Sequence, residues 1–367
     1  MRALVLLLLM GVFGSSWANE DALRQEVSEL KQRLDAVASQ VENNDASSKA
    51  SKLSFGGYGE HHLNINKGGD NQVDAHRFVM FSGYQFNDKV SLQTELEVEH
   101  GLAGDGKPGE VEVEQAYINV KATPDTDVKI GQFLIPVGTI NEKHEPDTFY
   151  GVERPAYTKR IIPTTWWEAG VMVAGKLGEN AKYHAGVHSG LNVQDTGTDL
   201  KAIRSGRQKN AKAKANSAAF TTGVSYTPVA GVKVGANVNY QTDITQGAQD
   251  VQALFSEVHA VVQKGNMGLK AEYGRWDVDT KDAAYKEQSG YYIEPSYKVT
   301  PKVGVFARYS DLEYAGGTAS PKEETYKTVG ANYSLHKNVV LKADYQKVNK
   351  KGSDDASSVN LGVGWSY

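Results

Sequence analysis

From Lys52 onward the chain alternates apolar and polar residues with a period of two, and it keeps that period to its last residue, Tyr367. No apolar run in this stretch approaches the roughly 20 residues a spanning helix needs. The final segment is the clearest: Val359, Leu361, Val363, Trp365 and Tyr367 alternate with Ser358, Asn360, Gly362, Gly364 and Ser366. Alternation of this kind puts one class of side chain on each face of a strand. Segments 90–99, 232–241 and 301–310 repeat it. Strands are predicted near 53–65, 74–87, 89–100, 111–122, 126–135, 166–177, 181–191, 218–228, 231–243, 251–264, 266–278, 287–299, 302–314, 324–335, 338–349 and 357–367, sixteen in all.

Connections differ by end. Asn87-Asp88, Val229-Ala230, Gly265, Thr300-Pro301 and His336-Lys337 are very short, whereas 101–110, 136–165, 192–217 and 315–323 are long. An even number of alternating strands with this asymmetry is the pattern of a transmembrane antiparallel barrel, because in lipid only closure removes unpaired strand edges. The Val, Leu, Ala and Ile face, with Tyr or Trp near its ends, suits lipid. The Lys, Glu, Asn, Gln, His and Gly face suits water. A large soluble sandwich or solenoid would need its polar face outward and shorter strands. The expected fold over residues 51–367 is therefore all-β: a 16-stranded antiparallel outer-membrane β-barrel, wide enough to hold an aqueous channel.

The chain's beginning is organised differently. Arg2, an apolar run from Ala3 to Gly14 and Ser16-Trp17-Ala18 predict a secretory signal peptide over 1–18, cut before Asn19. In 19–50, Leu23, Val27, Leu30, Leu34, Val37 and Val41 are spaced 4, 3, 4, 3, 4, a heptad seam of about three repeats. A helix this short is marginal alone in water, so a self-associating coiled coil is expected, with a polar linker from Asn43 to Ser51. Since both barrel termini fall on the short-turn side, that helix belongs in the periplasm. The chain has no cysteine, which excludes disulfides and thiolate metal chemistry. Its 40 basic and 44 acidic side chains do not give a nucleic-acid-binding balance.

Loops of more than roughly 12–15 residues are uncommon unless functional, which singles out 136–165. Its four prolines and mixed charges read as an inward loop that narrows the lumen. It offers Lys143, Arg154, Lys159 and Arg160 against Glu142, Glu145, Asp147 and Glu153, with Phe149, Tyr150, Tyr157 and Trp166 to pack it to the wall. These charges either contact passing ions or anchor the loop. Glu95, Glu97 and Glu99 share one face, expected to be the lumen wall, where they pair with Arg154, Lys159 or Arg160 or set a cation-favouring field. Glu112 and Glu114 share the parity of Ala116, Ile118 and Val120, so they either sit above lipid or follow a bulge. Segment 201–214 carries Lys201, Arg204, Arg207, Lys209, Lys212 and Lys214 without an acid. At a pore mouth it would concentrate anions. The plainer alternative is a solvated loop against anionic lipid.

Enzyme signals are poor. Nucleophile, base and oxyanion donors do not occur at recognisable spacing. In Glu60-His61-His62 the adjacent imidazoles point to opposite faces, while His184 and His188 share one face and read either as lumen lining or as a two-His site. No catalytic residue, metal or cofactor is expected.

GQFLIPVG, HEPDTFYGVERP and IIPTTWWEAGV, within 131–170, resemble the phosphate-selective porin O and P family and its coiled-coil-bearing relatives. The same order of elements extends over most of the chain. The resemblance implies a homotrimeric outer-membrane channel, 136–165 as its constriction loop, and Arg154, Lys159 and Arg160 facing anions. The family's phosphate-selective members carry a ladder of lumen arginines. Here strand arginines are few, chiefly Arg77, Arg275 and Arg308, with Glu95, Glu97 and Glu99 on the wall instead. The aromatic terminus Tyr367, where phenylalanine is usual, is similar to the signal read by the barrel-assembly machinery. The expected function is passive diffusion of small hydrophilic solutes, neutral or anionic, phosphate and dicarboxylates among them. Its surroundings would be outer-membrane lipid and lipopolysaccharide. A structural or adhesive barrel closed by its loops, with 192–217 as contact surface, is the alternative.

Overall fold

The computed structural model describes residues 52–195, 200–281, 283–315 and 321–367. The expected signal peptide and the heptad residues Leu23, Val27, Leu30, Leu34, Val37 and Val41 lie outside them.

Sixteen strands form one closed barrel: β1 (Leu53–Asn66), β2 (Gln72–Asn87), β3 (Val90–Gly104), β4 (Lys107–Thr123), β5 (Thr126–Leu134), β6 (Trp167–Leu177), β7 (Ala181–His188), β8 (Ala219–Val229), β9 (Val232–Gln241), β10 (Ala253–Lys264), β11 (Met267–Val278), β12 (Glu287–Lys298), β13 (Val303–Tyr314), β14 (Lys322–His336), β15 (Val339–Lys350) and β16 (Ala356–Ser366). Each pairs antiparallel with its sequence neighbours, and β1 closes on β16 from Tyr58↔Ser366 to Asn66↔Ser358. Meander order is what short turns permit, and closure leaves no strand edge to lipid.

The two faces separate as their alternation requires. Val224, Val258, Val329, Leu341 and Leu361 stand exposed on the outside. At the short-turn end the exposed aromatics Tyr84, Phe86, Tyr226, Tyr297, Tyr333 and Tyr367 form a girdle where lipid headgroups would begin. Gly57 and Gly59 of β1 have no side chain because the terminal Tyr367 and Trp365 of β16 lie across them.

Residues 101–110, expected to be a long connection, instead continue β3 and β4 into a tight hairpin in which Gly104 pairs with Lys107. Asp105 and Gly106, with φ of 51° and 67°, form its turn, and Asp-Gly is a preferred pair for a two-residue hairpin loop. Glu112 and Glu114 are also settled. Glu95 pairs with Gln115 while Leu96 pairs with Val113, so Glu114 is the extra residue of a bulge. Parity flips there, and Glu110, Glu112 and Glu114 share the lumen side with Gln115 and Tyr117. Arg275 is the other correction. It pairs with outward Ser256, and its guanidinium bridges Asp277 (2.5 Å) and Glu287 (2.9 Å) on the outer face rather than adding to the lumen.

Candidate functional site

The 32 residues between β5 and β6 enter the barrel and cross it. Two kinds of contact hold them there. The first is apolar: Ile135, Val137, Tyr157, Ile161, Ile162 and Trp166 are buried against lumen-facing Phe255, Trp276, Tyr292 and Leu312 of β10–β13. Trp276 stacks on Phe255 at 4.8 Å and meets Trp166 at 6.2 Å, and Tyr157 meets Tyr292 at 5.7 Å. A fully buried side chain of this size contributes about 1.5–3 kcal/mol relative to exposure, so a lumen wall with aromatic residues here fixes a loop rather than lining water. The second kind is polar, with wall cations donating to loop carbonyls. Arg77 Nη2 reaches His144 O (2.7 Å), Arg308 Nη1 reaches Glu153 O (3.1 Å), Lys342 Nζ reaches Gly151 O (2.9 Å) and Lys270 Nζ reaches Thr148 O (3.0 Å). In return the Val152 amide donates to Asp344 (2.7 Å) and Thr139 to Glu272 (2.8 Å). Arg77 and Arg308 also pair with wall carboxylates, Glu60 at 2.5 Å and Glu294 at 2.6 Å.

Inside this loop, α1 (Ala156–Arg160) is a single turn entered from Pro155, whose φ of −53° suits a helix start. It turns Tyr157 and Thr158 into the packed side and leaves Lys159 exposed. Arg160 lies over the Tyr314 ring at 5.6 Å. Lys143 and Asp147 are exposed, and Ser366 donates to Asp147 at 3.0 Å. Tyr150 stacks on Phe306 at 5.7 Å, and Lys342 lies over Phe149 at 3.7 Å. Glu145 is half-buried, and Glu153 faces His62 at 3.2 Å. The aromatics expected to anchor the loop therefore do so.

A second segment also turns inward. Of 189–218, Leu191, Val193, Leu200 and Ile203 are buried in the same apolar cluster as the first loop, so the start of the basic segment 201–214 is docked through Ile203. Apolar residues among its lysines and arginines are the sequence signal for this docking. Arg204 and Arg207 donate to the carbonyls of Thr164 and Thr165, the latter at 2.6 Å, and Arg207 lies 6.0 Å over Trp167. Lys209 reaches across to Glu110 and Glu112. Lys212 and Lys214 remain exposed, and Lys201, Arg207 and Lys214 help line a cavity of about 750 Å³ beneath the mouth.

The acidic wall stands on β3 and β4, in contact with the second inward segment through Lys209. Glu95 and Glu97 are buried and Glu99 half-buried on β3, with Glu110, Glu112 and Glu114 beside them on β4. Arg154, Lys159 and Arg160 do not pair with this wall. Its ionisable partners are His144, at 3.1 Å from Glu114 and 3.7 Å from Glu95, His100, at 3.8 Å from Glu99, and Lys209. Among the described residues Arg154, Lys159, Arg204 and Arg207 form no ion pair, and they crowd one another instead. Burial, then Arg207 and Arg154, pull Arg204 down to about 9. Burial followed by the neighbouring Arg77 lowers Arg154, and burial lowers Arg207. His184 and His188 do not meet as a ligand pair; His188 Nε2 instead lies 3.1 Å from Asn239.

A family model described as phosphate-selective porin O and P matches residues 57–361. An uncharacterized protein of Aquifex aeolicus (strain VF5) is 27% identical over 349 residues, covering 86% of this chain and 80% of that protein. An anion-selective porin from Comamonas acidovorans superposes with a TM-score of 0.62 at 12% identity, covering 86% of this chain and 99% of its own. In-vitro folded OmpT of Vibrio cholerae, in its trimer form, gives 0.57 at 15% identity over 86% of this chain and 99% of its own. At such identities these two structures speak for the fold. With the family match running through nearly the whole barrel and both inward segments, the chain belongs to the phosphate-selective porin O and P family, an outer-membrane channel and not an enzyme.

Proposed function

We propose that this porin is a passive channel for small hydrophilic solutes that favours anions, with inorganic phosphate and dicarboxylates as its preferred class. The observation that carries the reading is the group Arg154, Lys159, Arg204 and Arg207. Two different loops bring these cations together, and no carboxylate pairs with them among the described residues. On the acidic wall of β3 and β4, Lys209 meets Glu110 and Glu112 and the uncharged His144 meets Glu114, whereas the four cations of the two loops have no carboxylate partner among the described residues. No covalent step or energy source is required: the loops set the size limit, and the field biases which ions enter. In this reading the protein works as a homotrimer in lipopolysaccharide-bearing membrane. The heptad of 19–50 and the trimer form of the OmpT relative support that assembly.

The test is the reversal potential of purified protein in a planar bilayer under a salt gradient. Anion selectivity with block by phosphate is expected. Replacing Arg154, Arg204 and Arg207 together with glutamine should lower the anion-to-cation permeability ratio on the order of tenfold. A weakly cation-selective channel indifferent to phosphate would overturn the reading. The apolar burial of both loops favours a second one, a structural or adhesive barrel closed by its loops. Folded protein that passes no current would establish it.

A further inference from the structure

We propose that the barrel also binds a late first-row divalent cation, of the Zn²⁺ class, through Asp74, His76 and His100 at the long-loop end of the lumen. Asp74 and His76 lie near the start of β2, and His100 lies near the end of β3. His76 Nδ1 is 3.0 Å from Asp74 Oδ2, and His100 Nδ1 is 2.9 Å from the same oxygen. Ligand atoms of all three fall within 4.8 Å of one another. Donors bound to one tetrahedral ion at roughly 2.0–2.1 Å stand about 3.3 Å apart, so small side-chain movements convert this set into a metal face.

The backbone is irregular at both histidines. The β1–β2 register slips between Glu60↔Arg77 and His62↔Asp74, giving β2 an extra residue at Ala75–His76. His100 has a φ of 56° where the β3–β4 register breaks. Bulges re-aim side chains, and here two on adjacent strands turn imidazoles toward one carboxylate. Their surroundings suit a dication. His62, buried to 4% exposure, stacks on His76 at 4.4 Å. Its Nε2 takes Glu60 at 3.1 Å, while its Nδ1 makes no hydrogen bond, although Glu153 Oε1 is 3.2 Å away. Glu99 lies 3.8 Å from His100. Asp74, His76 and His100 are all half-buried, which leaves room for an ion to enter and for water to complete its shell. Two imidazoles with one carboxylate select late first-row metals over Ca²⁺ and Mg²⁺, which prefer all-oxygen shells.

Zn²⁺ titration of the folded full chain, carrying no affinity tag, tests this. One ion per chain is expected, and excess Ca²⁺ or Mg²⁺ should not displace it. Replacing His76 and His100 by glutamine should weaken binding more than about tenfold while heat-modifiable electrophoretic mobility confirms a folded barrel. Absent binding, equal displacement by Ca²⁺, or undiminished binding in the folded double variant would each overturn the proposal. A measurement on unmodified protein guards against a variant that does not fold. Zn²⁺ should protect His76 and His100 from diethylpyrocarbonate and leave His336, at the opposite end of the barrel, reactive. Equal modification with and without the ion would refute the site.

Discussion

Lumen-facing glycines of the wall are as much a part of the inward loop's site as the loop's own residues. A Cβ on Gly304 would stand 2.6 Å from Tyr150, one on Gly364 2.5 Å from Pro146, and one on Gly274 2.4 Å from the Tyr157 hydroxyl. Each glycine leaves a notch into which a loop side chain fits, so the wall and the loop are shaped to each other. Gly304→Leu should therefore push Tyr150 off the wall, at a cost of about 1–3 kcal/mol for an overfilled contact. Single-channel recording is expected to give a larger unit conductance with an intact barrel; an unchanged conductance would show that the loop does not rest there. Alternation makes these glycines visible as members of the polar face, but it does not mark them as sockets, because a socket exists only when the loop is in place.

At the scale of the element, the loop between β5 and β6 is held by a buried imidazole. His144 Nδ1 donates to Asn141 O (3.0 Å) and its Nε2 lies 3.1 Å from Glu114, with Tyr58 edge-on at 5.8 Å. Burial, then the positive charges of Arg77 and Arg154, hold it down to about 3. In the unfolded chain the same ring titrates near 6.5. Between those values the unfolded state binds the proton that the folded loop refuses, so folded stability falls as pH drops from about 6.5 toward 3. Thermal unfolding in detergent should show that decline, and His144→Gln should flatten its own share of it. Identical slopes in the two proteins would mean that the ring is not neutral in the folded loop. The loop's length and prolines announced an inward element. Which of its residues anchor and which face the lumen was not legible, because anchoring depends on Arg77, Lys270, Arg308 and Lys342, which are distant in sequence.

For the whole molecule, the barrel closes through the pairing of β1 with β16, from Tyr58↔Ser366 to Asn66↔Ser358. Deleting 19–50 while keeping the signal peptide should therefore leave a folded barrel with the same heat-modifiability and a weaker oligomer, read by native electrophoresis. A chain that no longer folds would sink the separation of roles. The barrel also explains how so polar a sequence spans a membrane: lipid sees only alternate residues, and the charged remainder is answered inside by loops.

Period-two alternation, together with the short and long connections, determined nearly everything about the frame: sixteen strands, their order and their lipid face. Those are local properties, since each strand's pattern carries its own parity. The exceptions arose where local backbone chemistry intervened, in the Asp105–Gly106 turn and the bulge at Glu114. Tertiary structure alone decided the interior. It placed Arg204 and Arg207 beside Arg154 although the heptads, strands and turns say nothing of their distance. It turned Arg275 outward, bound Lys209 to Glu110 and Glu112, and gathered Asp74, His76 and His100 from two strands. The physical reason is that a lumen is made by closure, so which charges face one another across it depends on register and loop docking summed around the whole barrel, and no single stretch of sequence contains that sum.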